Sequence, residues 1–95
     1  MDLDIADATD RQRYEASLDG TLAGILEYVV KRDRIALIHT EVMPGHEGQG
    51  VGARLVRFAF DEARRRELRV IATCPYVRGY LSKHPGDHDI VVGMS

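Results

Sequence analysis

Four glycines fall within eight residues, Gly45 to Gly52, where one periodicity gives way to another. Ahead of them, Ile35–Val42 is β-branched and apolar and reads as a strand. Behind them, Val51–Arg66 has helical periodicity, with no Gly or Pro after Gly52. Glycine at that density lets the backbone take positive φ and lets a ligand come close to main-chain N–H groups. The first N–H groups of a helix have no partner within it and lie at the positive end of its dipole, so the position favours an anion.

The residues around the hinge sharpen this. The plausible N-cap positions are Gly48, Gln49 and Gly50, none of which supplies a capping side-chain oxygen of the favoured Ser, Thr, Asp or Asn type. The first turns carry Arg54 and Arg57 with no acid before Asp61, the wrong charge order for an isolated helix. A phosphate or pyrophosphate at Gly48–Ala53 would satisfy the free amides and give the arginines a counter-ion. The plainer alternative is a glycine-rich turn beside two solvated arginines. Two nucleotide motifs are excluded. No lysine occurs between Lys31 and Lys83, so there is no Walker A loop, and Gly48, Gly50 and Gly52 give G-x-G-x-G rather than the dinucleotide G-x-G-x-x-G.

Glu47-Gly48-Gln49-Gly50-Val51-Gly52 resembles the Q/R-x-x-G-x-G/A loop of the GNAT superfamily of acetyl-CoA-dependent N-acetyltransferases. His39-Thr40-Glu41-Val42, Cys74-Pro75-Tyr76-Val77, Tyr80-Leu81 and Lys83-His84-Pro85 follow in the order of the small single-domain GNAT-like proteins, and the similarity runs from Tyr14 onward. The resemblance implies that acetyl-CoA or coenzyme A is the co-substrate. Its pyrophosphate would lie on the amides of Glu47, Gly48, Gln49, Gly50, Val51, Gly52 and Ala53, and its pantetheine along the exposed edge from His39 to Val42, through Thr40 and Val42. Lys83, with Arg54 or Arg57, would meet the 3′-phosphate. Glu47 departs from the family, which has Gln or Arg there; a carboxylate beside a pyrophosphate is repulsive unless it points to water.

The rest of the chain reads as one domain over residues 1–95, of α+β class, with a mixed, mostly antiparallel sheet and two main helices. Leu3–Ala6 is a short edge strand at most. Tyr14–Leu18 and Thr21–Val30 are strands joined by Asp19-Gly20, a type I′ hairpin signal. Gly24 suggests a bulge or a close backbone approach. Ile35–Val42 completes an antiparallel meander, and a right-handed crossover through the helix makes Arg69–Thr73 parallel to it. Pro75 opens a last helix to about Lys83, and Asp89–Val92 adds a terminal strand.

The net charge of −2 argues against bulk affinity for nucleic acid or an anionic membrane, and no apolar run approaches the ~20 residues of a membrane span. One cysteine excludes an intrachain disulfide and suits a reducing compartment. The acidic start, Met1-Asp2-Leu3-Asp4, lacks the apolar core of a signal peptide. A cytoplasmic location is therefore expected.

Three residues are candidates for the chemistry. Glu41, at the wet end of a strand face shared with His39, Leu37 and Ile35, would deprotonate an amine, with His39 as the alternative base. Tyr80, four residues after Tyr76 and on the same helix face, matches the tyrosine that protonates the departing thiolate in many GNAT enzymes. Cys74, just before a helix N-terminus, would carry a lowered pKa and accept the acyl group itself; the alternative is a buried cysteine that only packs. His84, Asp87, His88 and Asp89 look superficially like metal ligands, but no regular element fixes them, and no metal is expected. The expected function is transfer of acetyl from acetyl-CoA to an amine or other small nucleophile. A chain this short supports a second reading, a non-catalytic acetyl-CoA or CoA-binding module, and a third is an interaction domain with an empty loop.

Overall fold

The computed structural model describes residues 3–94, so Met1 and Asp2 of the acidic N-terminus lie outside it. Strand β1 (Leu3–Ala8) leads through a 3-10 turn (Thr9–Arg11) to β2 (Arg13–Leu18), β3 (Thr21–Lys31) and β4 (Arg34–Val42). Helix α1 (Val51–Arg65), β5 (Arg69–Ala72), helix α2 (Pro75–Lys83), a second 3-10 turn (Pro85–Ile90) and β6 (Val91–Met94) follow. The six strands form one sheet in chain order. Strands β1 to β4 are antiparallel; β5 is parallel to β4, and β6 to β5. The α+β architecture is the one expected.

Local chemistry accounts for the turns. Asp19 and Gly20 both take positive φ, 51° and 82°, as a type I′ turn requires. Gly24 allows a close approach: a Cβ there would stand 2.8 Å from Val51 Cγ1 and 3.0 Å from the Glu41 carbonyl, so α1 seats directly on β3. The terminal strand begins at Val91 rather than Asp89. Asp87 and Asp89 are held instead by Arg64, at 3.0 and 2.8 Å, which fixes Pro85–Ile90 as a turn against the end of α1.

Strands β4, β5 and β6 step the same way across the sheet, so two right-handed crossovers put α1 and α2 on one face. Their buried side chains, Leu55, Val56, Ala59, Phe60, Val77 and Leu81, merge with Tyr14, Leu26, Ile35, Leu37, Val70 and Ala72 of the sheet into one core. Ile35, Leu37, Leu55 and Phe60 are fully buried, each worth about 1.5–3 kcal/mol in water-to-core transfer. Among the described residues no helix covers the opposite face of the sheet.

One expectation fails here. The register of β3 on β4 shifts between Glu27 and Tyr28: Tyr28 pairs with Leu37, but Glu27 pairs with His39, so Ile38 is an extra residue. Such a bulge offsets the alternation by one. Leu37, Thr40 and Val42 therefore share the helix-covered face with Tyr28, Leu26 and Gly24, while His39 and Glu41 share the open face with Glu27 and Ile25. Glu41 does not continue the apolar row of Ile35 and Leu37.

Candidate active site

The parallel pairing of β4 with β5 runs from Arg34–Arg69 to Leu37–Ala72 and stops there. The Leu37 carbonyl accepts from the Thr73 hydroxyl at 2.8 Å, the Cys74 N–H at 3.1 Å and the Thr73 N–H at 3.3 Å. Three donors on one oxygen turn the chain away from β4, and Pro75, in the first turn of α2, cannot donate to it either. Beyond the Ile38 bulge, His39–Val42 has no partner in β5. The two strands part here, and an edge of β4 is left unpaired, open to an extended ligand.

At the far end of that edge the glycine loop meets α1. Gly45, Gly48 and Gly50 have φ of 87°, 79° and 76°, and Gly50 occupies the N-cap with no side-chain hydrogen bond at the helix start. A Cβ on Gly48 or Gly50 would meet nothing within 4 Å, so no side chain or backbone crowds the loop there. Val42, His46, Glu47, Gly48, Gly50, Val51, Gly52 and Tyr76 line a groove of about 370 Å³ there. The exposed Glu47 carboxylate is turned back onto its own loop, where Oε1 accepts the Gly45 N–H at 2.9 Å, and Gln49 Oε1 lies 3.2 Å from His46 Nδ1. Gly52 has a different office. It is buried, and the Tyr76 phenol of α2 lies against it.

Cys74 caps α2 in extended conformation, φ −74° and ψ 128°, and is only 3% exposed. The bulge brings Thr40 onto the same side of the sheet, and the thiol lies 3.4 Å from Thr40 Oγ1. Burial pushes the Cys74 thiol up. The Thr40 hydroxyl, the N–H groups at the start of α2 (Val77 and Tyr76) and the Thr40 backbone outweigh it, and the thiol sits below its ordinary value. The sulfur makes no cap hydrogen bond of good geometry, so those amides act as oriented dipoles at a helix N-terminus.

The two tyrosines of α2 separate. Tyr76 is 45% exposed and forms a wall of the loop groove. Tyr80 is 8% exposed, packs on Phe60 at 6.2 Å and stacks on the His84 ring at 3.9 Å. Both border a second groove of about 370 Å³ with Ala53, Ser82 and Lys83, and Tyr76 also lines the first. Lys83 is thus on the loop's side of α1, whereas Arg54 and Arg57 line a separate hollow with Leu3, Ile5 and Phe58, where Arg57 pairs with Asp61 at 3.5 Å. Sequence reasoning ranked Tyr80 above Tyr76; only the contact with Gly52, 24 residues away in the chain, distinguishes them.

Glu41 and His39 stand together on the open face, His39 Nε2 3.3 Å from Glu41 Oε1, both about half exposed. The four C-terminal groups are occupied elsewhere: His84 Nδ1 pairs with the Tyr80 carbonyl and His88 Nε2 with that of Leu81, each at 2.9 Å, and both aspartates hold Arg64. Among the described residues no three His, Cys, Asp or Glu side chains converge as metal ligands, and no helix is long and apolar enough to cross a membrane.

Known proteins resemble this chain in fold and sequence. A solved GCN5-like protein of Staphylococcus aureus superposes with a TM-score of 0.73 at 25% identity, over 98% of this chain and 91% of that one. Streptothricin acetyltransferase of Streptomyces lavendulae is 40% identical over 62 residues, 63% of this chain and 33% of that protein. Aspartate/glutamate leucyltransferase of Marinobacter nauticus is 38% identical over 61 residues, 64% of this chain and 26% of that protein. The chain thus matches a third or less of the length of these two curated relatives. The sequence model of the GCN5-related N-acetyl-transferase family matches residues 13–90. With most of its length matched, and with the parted strands and uncapped glycine loop in place, the chain belongs to the GCN5-related N-acetyltransferase family.

Proposed function

We propose that this chain is an acetyl-CoA-dependent acyltransferase domain acting on an amine or other small nucleophile. One observation carries the reading: an uncrowded glycine loop at an uncapped helix start adjoins the unpaired β4 edge that ends at Cys74. The pyrophosphate lies on the amides of residues 47–53 and the pantetheine along His39–Val42, passing Thr40 and Val42. Lys83, in the groove on the other side of Tyr76, meets the phosphorylated end of the coenzyme. The free thiol of Cys74 fits a reducing, cytoplasmic compartment.

In the covalent route the Cys74 thiolate attacks the thioester carbonyl, forming an S–acyl bond and expelling coenzyme A as a thiolate that Tyr80 or water protonates. The acceptor amine then attacks the acyl-cysteine and gives a proton to Glu41, and the S–acyl bond breaks to release the Cys74 thiolate. In the direct route the amine attacks the bound thioester and Cys74 only packs. A second reading, a module that holds the coenzyme without turnover, draws on the near-complete burial of Cys74 and on the bare sheet face beside Glu41.

Titration calorimetry with coenzyme A tests the binding, using folded Gly50→Asp, which places a carboxylate in the anion position, as the control. Binding to the parent and none to the variant is expected; equal affinity rejects the loop as the site. Release of free thiol from acetyl-CoA across pools of amines separates turnover from binding. Intact mass after incubation with acetyl-CoA separates the routes: the covalent one requires a hydroxylamine-labile acetyl adduct that is absent in Cys74→Ala.

A further inference from the structure

The face of the sheet away from both helices carries charge in rows. Lys31, Arg34 and Arg69 lie side by side in register across β3, β4 and β5, all exposed, with Arg34 touching an acid only loosely, Asp33 at 4.0 Å. The next row on the same face is apolar: Val29, Ala36, Ile71 and Gly93 are successive partners across β3 to β6. Beyond it stand Glu27, paired in register with His39, and then Glu41, paired with Ile25. Ile38, the bulge residue, is 44% exposed, and with Val29, Ala36, Ile71 and Thr73 it floors a shallow groove of about 460 Å³ whose rim is Lys31 and Arg34.

Cations at one end, an apolar middle and, at the other, Glu15, Glu27 and Glu41 outnumbering Arg13 make a surface complementary to itself. A two-fold axis laid along the Val29–Ala36–Ile71 row places that row on its own copy. It also brings Lys31 of each copy over Glu27 of the other, with Arg34 falling over Ile38 and His39, next to Glu27 across the sheet and Glu41 along the strand. A self-complementary patch is what an isologous contact requires, and two sheets stacked about 10 Å apart are a common way to cover such a face. An acceptor or a foreign protein would need its own matching order of charges; a second copy has it already.

We propose that the open sheet face is an interface between two copies of this chain, paired about that axis. The pairing sets the second copy as a wall opposite His39 and Glu41, on the side of the β4–β5 parting that no element of the chain itself covers. It uses neither the glycine loop nor α2, so its test is independent of coenzyme binding.

Sedimentation equilibrium reads the association directly. The parent chain is expected at twice its 10.6 kDa mass, with an association constant that falls as salt rises. Lys31→Glu/Arg34→Glu sets anions against anions, and Glu27→Lys/Glu41→Lys sets cations against cations. Each double variant is expected to sediment as a monomer, with a circular dichroism spectrum like the parent's. Mixing the two restores opposite charges at both ends, so the mixture is expected to return to the double mass. A parent that stays monomeric at the highest attainable concentration overturns the proposal and leaves the face to an acceptor or another protein. So does a dimer that persists in both folded variants, or a mixture of folded variants that fails to pair. Should a variant not fold, the salt series on the parent decides, and a dimer indifferent to salt overturns the charge argument.

Discussion

The phenol of Tyr76 lies across Gly52: a Cβ built on that glycine would stand 2.5 Å from Tyr76 Oη and 2.6 Å from Cζ. The last glycine of the loop therefore serves the fit of α2 against α1, while the three before it, all at positive φ, serve the backbone. Gly52→Ala would force the ring outward, and since Tyr76 is 45% exposed it can swing without opening the core. Ala gains about 1 kcal/mol of helix propensity over Gly, which offsets the displacement. The expected outcome is a thermal midpoint close to the parent's and a weakened affinity for coenzyme A, read by calorimetry. Unaltered affinity would show that the ring is no wall of the binding groove.

Helix α1 ends in a Schellman motif, with Leu68 N–H donating to the Ala63 carbonyl at 2.8 Å and Glu67 N–H to that of Arg64 at 3.2 Å. The motif wants glycine at the left-handed position, yet Glu67 holds it at φ 57°. Glu67→Gly relieves the Cβ clash at some cost in unfolded-state entropy, for a net gain of about 0.5–1 kcal/mol. Chemical denaturation checks it, and a loss of stability would mean that the Glu67 side chain contributes more than the strain it causes.

Most of the scaffold was legible because its signals are local. Asp19-Gly20 demands a type I′ turn whatever surrounds it, and a β-branched run, a glycine loop and an amphipathic helix together demand a crossover. The site was legible as a place but not as a set of side chains. Ile38 carries no mark of a bulge, being itself a β-branched strand former, and a period of two carried through it puts Glu41 on the wrong face. The same offset turns Thr40 toward Cys74, 34 residues on, a contact that no spacing rule contains. Gly52 read as a phosphate glycine because its reason for being small, Tyr76, belongs to another helix.

Glu47 is the loop's departure from its family, and its contact suggests why it is tolerated. The carboxylate accepts the Gly45 N–H at 2.9 Å, a bond that a glutamine oxygen can also accept. Glu47→Gln thus keeps the loop's internal bond while removing a charge near the proposed pyrophosphate. At about 8 Å in a water-like medium each unit pair is worth about 0.5 kcal/mol, so a gain in coenzyme A affinity of about two- to fivefold is expected. The gain should shrink as salt is added. Glu47→Arg removes the charge but also the Gly45 acceptor, and is expected to gain less than the attraction alone implies. No tightening in Glu47→Gln at low salt would place residue 47 away from the anion.

The contact between Cys74 and Thr40 gives a titration that can be followed on one sulfur, since the chain has a single cysteine. Burial disfavours the thiolate, and the Thr40 hydroxyl and the first amides of α2 favour it more, so the folded thiol titrates below its ordinary value of 9.0. The sign follows. A pKa depressed by folding adds stability that is fully present above the unfolded value and is lost as pH falls through the folded one, so near neutrality the term is small and reactivity reports it better. Thiolate absorbance, taken as the difference from Cys74→Ser, should show a midpoint below 9.0 in the parent. Thr40→Val removes the hydroxyl at nearly constant volume, and the midpoint should rise. If the acyl-cysteine route operates, the rate of acetylation by acetyl-CoA should fall in Thr40→Val at neutral pH and recover as pH is raised. A midpoint that does not move would leave Thr40 as a packing neighbour, and a moved midpoint with unchanged acetyl transfer would point to direct attack by the acceptor.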